Sequence, residues 1–244
     1  MRNMAKLTAV LLLLAAGPVL WPLLKKSPQE KFLHSRELAT QRLAEHLART
    51  LPGQRALVVS NPFARAKGGA ILAQEEAGLR GLRQGFAKQI VLEAVVFPEL
   101  KPAAQQAPES MELPPDATTP LSFMVTEDAF DKLAGQHPSC KLMVSLIGLP
   151  AELNRVELWQ PASPVKFALL LPDLRVVGDT EAVRRAVQSG KITAMVCQRP
   201  EIAGPGASVG TEFDRQFLLV SAANIDEVLR RFPKLFGAAL PETP

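Results

Sequence analysis

From Arg55 onward the chain alternates short apolar runs with amphipathic stretches. Ala56–Ser60 (ALVVS) is a compact apolar run closed by Asn61-Pro62, the pattern of a buried strand. Further runs of strand length are Ile90–Phe97, Lys141–Ile147, Lys166–Leu171, Ile192–Cys197 and Phe217–Ser221, and Leu121–Val125 reads as a short extra strand. Between them the period changes from two to that of a helix. Leu72, Leu79, Leu82 and Phe86 share one face over 69–87. Thr126 reads as the cap of a helix over 127–135 that turns Ala129, Phe130 and Leu133 inward. Asp179 or Thr180 starts a helix that Gly190 stops, and Asn224 with Glu227 reads as a capping box for the closing helix. Near-continuous apolar strands alternating with amphipathic helices predict an α/β domain, a mainly parallel sheet with helices on both faces.

Upstream, residues 29–51 read as an amphipathic helix, with Ala39, Leu43, Leu47 and Leu51 at spacings of four. A helix lying on its own domain is the expected arrangement. Leu7 to Leu24 is an 18-residue stretch without a charge, flanked by Arg2 and Lys6 and by Lys25 and Lys26. A helix needs about 17–25 residues to cross a bilayer core. The reading favoured is an uncleaved transmembrane or signal-anchor helix with the domain extracytoplasmic. The alternative is an export signal whose removal leaves a secreted domain, but Leu14 and Pro18 make poor cleavage-site neighbours. The predicted division is 1–28 as anchor or signal, 29–51 as the linking helix, and 52–244 as the α/β domain.

Composition changes this picture at three points. Apolar residues form 47% of the chain, ample for a buried core in one domain or two small lobes. The net charge of +4 resides wholly in residues 1–31, leaving a neutral domain and no support for nucleic-acid binding. Residues 98–120 carry six prolines and form a proline-rich loop of unusual length.

Motifs for catalysis fail on context. Gly206-Ala207-Ser208-Val209-Gly210 matches a hydrolase nucleophile elbow, yet no strand directly precedes it and no histidine follows. Gly190-Lys191-Ile192-Thr193 joins a helix to a strand, the reverse of a phosphate loop, and Lys67-Gly68-Gly69 reads as a plain turn. His137 and Cys140 are two candidate ligands with no second pair. Cys140 precedes its strand and Cys197 closes another, about 17 Å apart along parallel strands, so both are expected as free thiols. No catalytic residue, metal ligand or cofactor is predicted.

Ser60-Asn61-Pro62-Phe63 after the first strand resembles a turn of the type I, sugar-binding kind of periplasmic-binding proteins, and Ala186–Pro200 resembles their helix–glycine–strand passage. The resemblance implies a periplasmic-binding-like, Rossmann-like fold whose cleft takes a small solute, with Asn61, Phe63 and Gln198 as cleft residues. The stacking aromatics of that family are missing and the chain is short for two full lobes. Independently, open α/β sheets bind ligands at the carboxyl ends of their strands. Ser60, Asn61, Glu99, Asp173, Gln198, Arg199 and Ser221 stand at such ends, and Asp173 and Arg199 are the charged pair after neighbouring late strands. The expected function is a membrane-anchored, extracytoplasmic, non-catalytic domain that binds a small solute or a partner. The alternative is a structural or assembly component of a cell-envelope complex, using the linking helix and the proline-rich loop.

Overall fold

The computed structural model describes residues 27–65, 69–200 and 211–237. The anchor at Leu7–Leu24, Lys67-Gly68 and the Gly206–Gly210 segment lie outside the described residues. Among the described residues, no helix is long and apolar enough to cross a membrane.

Helix α1 (Pro28–Thr50) starts at Ser27, whose hydroxyl accepts from the Glu30 N–H while the Glu30 carboxylate accepts from the Ser27 N–H, with Pro28 in the first turn. The chain then forms β1 (Arg55–Val59), α2 (Ala70–Phe86), β2 (Val91–Val96), the short helices α3 (Pro102–Gln106) and α4 (Leu121–Met124), α5 (Ala129–Gln136) and β3 (Leu142–Ser145). It continues through β4 (Lys166–Leu170), α6 (Thr180–Gln188), β5 (Ile192–Gln198), α7 (Glu212–Gln216), β6 (Phe217–Ser221) and α8 (Ile225–Arg231). The strands form one sheet in the order β2-β1-β3-β4-β5-β6. Neighbours from β2 to β5 are parallel, and β6 pairs antiparallel with β5. The α/β prediction with a mainly parallel sheet therefore holds, as does the placing of helices on both faces.

Period-two alternation sorts each strand between two cores. Ala56, Val58, Val144, Ala168 and Val196 face α1 and α2, while Leu57, Val59, Met143, Leu169 and Met195 face the opposite way. On the first face α1 and α2 run parallel: Arg36 reaches Glu75, and Glu37 reaches Arg80 and Gln84. Their separation is set by glycine. A Cβ on Gly81 would lie 2.2 Å from the Glu37 carbonyl oxygen, and one on Gly85 would lie 2.4 Å from that of Gln41. Ala39, Leu43, Ala44 and Leu47 are fully buried, so α1 is a layer of the domain. The second face is covered by α5, α6 and α8 together with the irregular segments 98–128 and 149–165.

Several local expectations need correction. Leu121–Val125 is not a strand: Pro120 leads into the helical turn α4, and only Val125 makes an isolated bridge, to Leu100. Thr126 does not cap α5; its hydroxyl donates to the Asp128 carboxylate, and Asp128 occupies the cap position without a side-chain bond. Asn224 forms no capping box, because its side chain accepts from the Ser221 N–H and donates to the Leu219 carbonyl, turning β6 into α8. Residues 98–120 hold α3 and a further turn at Pro108–Ser110, and Ala104, Met111 and Leu113 pack on the second core. Because β6 is antiparallel, Ser221 pairs with Ala194 near the start of β5, at the amino edge of the parallel strands.

Candidate functional site

In this strand order the chain reverses its direction of travel between β1 and β3, so the crevice at their carboxyl ends is the place where such folds take ligands. Here the chain's own side chains fill it. Ser60 donates its hydroxyl to Glu75, which also accepts from the Asn61 N–H at 3.2 Å and from the Arg36 guanidinium. Glu75 is 5% exposed, and this arginine from α1 is what balances its buried charge. The Asn61 Oδ1 accepts from the Phe63 N–H at 2.9 Å, closing the turn on itself, and Phe63 packs against the second core. On the β3 side, Ser145 donates to the Gly148 carbonyl, and Ser122 and Thr119 share a hydroxyl bond beneath it.

Asp173, Gln198 and Arg199 stand on the same edge but are not brought together with Asn61 and Phe63. Three strand spacings, about 14 Å, separate β1 from β5. Asp173 is 3% exposed and pairs with Arg175, not with Arg199: Arg175 Nε lies 2.9 Å and Nη2 2.6 Å from its two carboxylate oxygens. Arg175 also donates to the carbonyls of Pro115 and Asp116, and Asp173 accepts from the Thr118 N–H, so the pair clamps the proline-rich segment. Burial pushes the Asp173 pKa up, but the Arg175 side chain and the backbone N–H bonds outweigh it and hold the carboxyl below its usual range. Gln198 is exposed at the end of β5. Arg199 lies with its guanidinium carbon 5.6 Å from the centre of the Phe232 ring, and its N–H donates to the Gln216 carbonyl.

Beside the filled crevice an open pocket of about 320 Å³ lies at the carboxyl ends of β1 and β2, lined by Arg65, Phe97, Glu99, Lys132, Leu133 and Gln136 among others. Arg65 follows the Asn61–Phe63 turn and lies over the Phe97 ring at 4.6 Å. It has no carboxylate partner among the described residues. Lys132 Nζ bridges Glu99 at 2.9 Å and Asp128 at 3.0 Å, and these hydrogen bonds raise its pKa, keeping it a cation. The pocket thus offers an aromatic face, two cations, a carboxylate and an amide within one concavity. Glu99 was legible as a polar strand end. Arg65 and Lys132 were not, since 67 positions separate them and the turn and α5 bring them together.

The thiols fit no reactive role. Cys140 and Cys197 are both free and buried, and full burial pushes the Cys197 pKa up to about 12. Burial also raises that of Cys140. Among the described residues no cluster of three histidine, cysteine or carboxylate side chains is placed to hold a metal ion.

No family model matches the chain, and no curated protein matches its sequence. Solved structures align with it. A carbohydrate transporter from Acidothermus cellulolyticus, in complex with myo-inositol, aligns with a TM-score of 0.48 at 14% identity, over 82% of this chain and 62% of that one. A sugar ABC transport substrate-binding protein from Bordetella parapertussis gives 0.45 at 13%, over 79% and 57%. A sugar-binding protein from Bacillus halodurans gives 0.45 at 14%, over 79% and 64%. These are proteins of the kind that the segments at Ser60 and Ala186 resemble. The chain spans less than two thirds of the length of each.

Proposed function

We propose that this chain is a non-catalytic binding domain, held at the outer side of a membrane by Leu7–Leu24, that takes a small polar solute in the pocket beside β1 and β2. The observation that carries the reading is Arg65: an exposed guanidinium stacked on Phe97, without a carboxylate partner among the described residues, facing a concavity that Lys132, Glu99 and Gln136 also line. An unpaired cation above an aromatic floor fits a solute with a carboxylate or a dense set of hydroxyls. In this reading Asn61 and Phe63 act by shaping the turn that carries Arg65, while Asp173, Gln198 and Arg199 border the same edge as outer contacts. The non-catalytic part of the reading is supported by the two buried thiols, which burial makes poor nucleophiles by raising their pKa.

The experiment is a thermal-shift screen of sugars, sugar acids, amino acids and nucleotides, repeated with Arg65→Ala and Lys132→Ala. A hit whose stabilisation disappears in both variants supports the proposal. A hit that survives both, or no hit at all, overturns it and leaves the assembly role as the better reading. Fractionation of the full chain with membranes, lost on deletion of residues 1–26, tests the anchor separately; release into the medium at reduced mass would instead show a cleaved signal.

A further inference from the structure

A second concavity, separate from the solute pocket, runs along α6 between that helix and the segments 111–116 and 151–166. Its volume is about 2270 Å³. Small-molecule pockets are about 300–1,000 Å³, so this groove is the size for a length of polypeptide. Trp159 forms part of its wall, half-buried and fixed by packing on Phe167, with ring centres 5.7 Å apart. On the opposite wall α6 presents Ala182 and Ala186, small side chains that let a backbone approach closely.

Of the cations lining the groove, Lys101, Arg155 and Arg175 are paired with Glu152, Glu127 and Asp173, and the others gather at one end. At the amino edge of the sheet the groove is lined by Lys166, Arg185 and Lys191. Phe167 N–H donates to the Lys191 carbonyl and Ser189 N–H to that of Arg185, which puts the three cations at one end. Lys166 and Arg185 are exposed and have no carboxylate partner among the described residues. Lys191 donates its ammonium to the carbonyls of Leu158, Gln160, Ser163 and Val165, bonds that leave its charge unneutralised. Glu112 and Asp116 line the groove in the proline-rich segment, which Arg175 ties to the other edge.

We infer that this groove docks an extended segment of a partner protein, apolar and proline-rich along Trp159 and α6, with acidic residues over Lys166, Arg185 and Lys191. Proline fits because an aromatic-lined groove recognises a preformed extended helix at low entropic cost. The acidic end follows from the three cations, none of which has a carboxylate partner among the described residues.

The test uses the full chain carrying Trp21→Phe, so that Trp159 is the sole tryptophan. The probe is a fluorescein-labelled decapeptide of three proline–leucine pairs followed by four glutamates, with a control ending in four lysines. Saturable binding of the glutamate peptide should accompany a change in Trp159 emission. It should weaken at least tenfold in the Lys166→Glu/Arg185→Glu double variant, whose exposed positions leave folding intact by circular dichroism, and fall as salt rises. Equal binding of both peptides, no binding up to 1 mM, or full binding by the double variant each overturns the inference. So does a Trp159 change on deleting residues 238–244 alone, which would make the chain's own segment the occupant. Arg65→Ala leaves peptide binding unchanged, so the solute pocket and this groove fail independently.

Discussion

On one face of the sheet two parallel helices lie so close that Gly81 and Gly85 meet backbone atoms of their neighbour. On the other, short helices and proline-rich segments cover the strands and leave a groove and a pocket open. The first face spends its polar groups internally: Arg36, Glu75, Ser60 and Asn61 form one buried network. The second keeps Arg65, Lys166 and Arg185 without a carboxylate partner among the described residues. On the proposed function, rigidity and recognition are thus divided between the faces. The functional regions of a marginally stable domain come from its less tightly packed parts, and the closed face carries the stability that this requires.

The sharpest way to break this division is to add one methyl group to the tight face. Gly81→Ala places a carbon 2.2 Å from the Glu37 carbonyl and 2.2 Å from the Thr40 hydroxyl, neither of which is the end of a flexible side chain. The helices must separate, at a cost of about 3 kcal/mol or more. Urea unfolding followed by circular dichroism measures it, and Gly85→Ala should behave alike. A loss below about 1 kcal/mol in both would mean that α1 and α2 are not held as described.

Next in size is the buried network. Arg36→Met leaves the Glu75 carboxylate with only the Ser60 hydroxyl and the Asn61 N–H, and should cost about 2–3 kcal/mol. Replacing both partners, as Arg36→Met/Glu75→Met, removes the uncompensated charge and should recover a large part of that loss. Equal losses in the single and double variants would show that packing, not charge balance, is at stake.

These two sites also mark how far the sequence could be read. The strands were legible because their apolar runs are buried on both sides, and α6 because Asp179 caps it, accepting from the Ala182 N–H at 2.8 Å. The glycines of α2 lower helix propensity and disclose nothing until the partner helix is known. The antiparallel turn of β6 was hidden because its residues pair equally well in either direction. Asp173 was placed correctly at a strand end, but whether such a carboxylate meets a ligand or Arg175 is decided by the fold of a segment some sixty residues earlier. The pocket failed to show for the same reason: its members are near only in space.

On the open face the clamp at Asp173 gives a smaller, pH-dependent effect. Asp173→Asn should cost about 2 kcal/mol at neutral pH, the scale of a buried charge-assisted bond. Because the folded carboxyl titrates below its usual range, its contribution is present above the unfolded pKa of about 3.9 and is lost as pH falls through the folded value. The difference between wild type and variant, taken from urea midpoints, should therefore shrink on going from pH 7 to pH 3. A difference that stays constant over that range would mean that Arg175 does not engage the ionised carboxylate.

The smallest effect carries the opposite sign. Gly135, inside α5 on the open face, has no atom within 4 Å of the position a Cβ would take, and its backbone is not in the left-handed region. Gly135→Ala should stabilise the domain by about 0.5 kcal/mol, through reduced freedom of the unfolded chain and higher helix propensity. The same chemical change as at Gly81 thus costs on one face and gains on the other. Combined in one chain, the two effects should add, since one face cannot feel the separation of helices on the other. A combined loss that departs from that sum by more than about 0.5 kcal/mol would show the faces to be coupled through the sheet, and would make the groove and pocket responsive to how tightly α1 and α2 are packed.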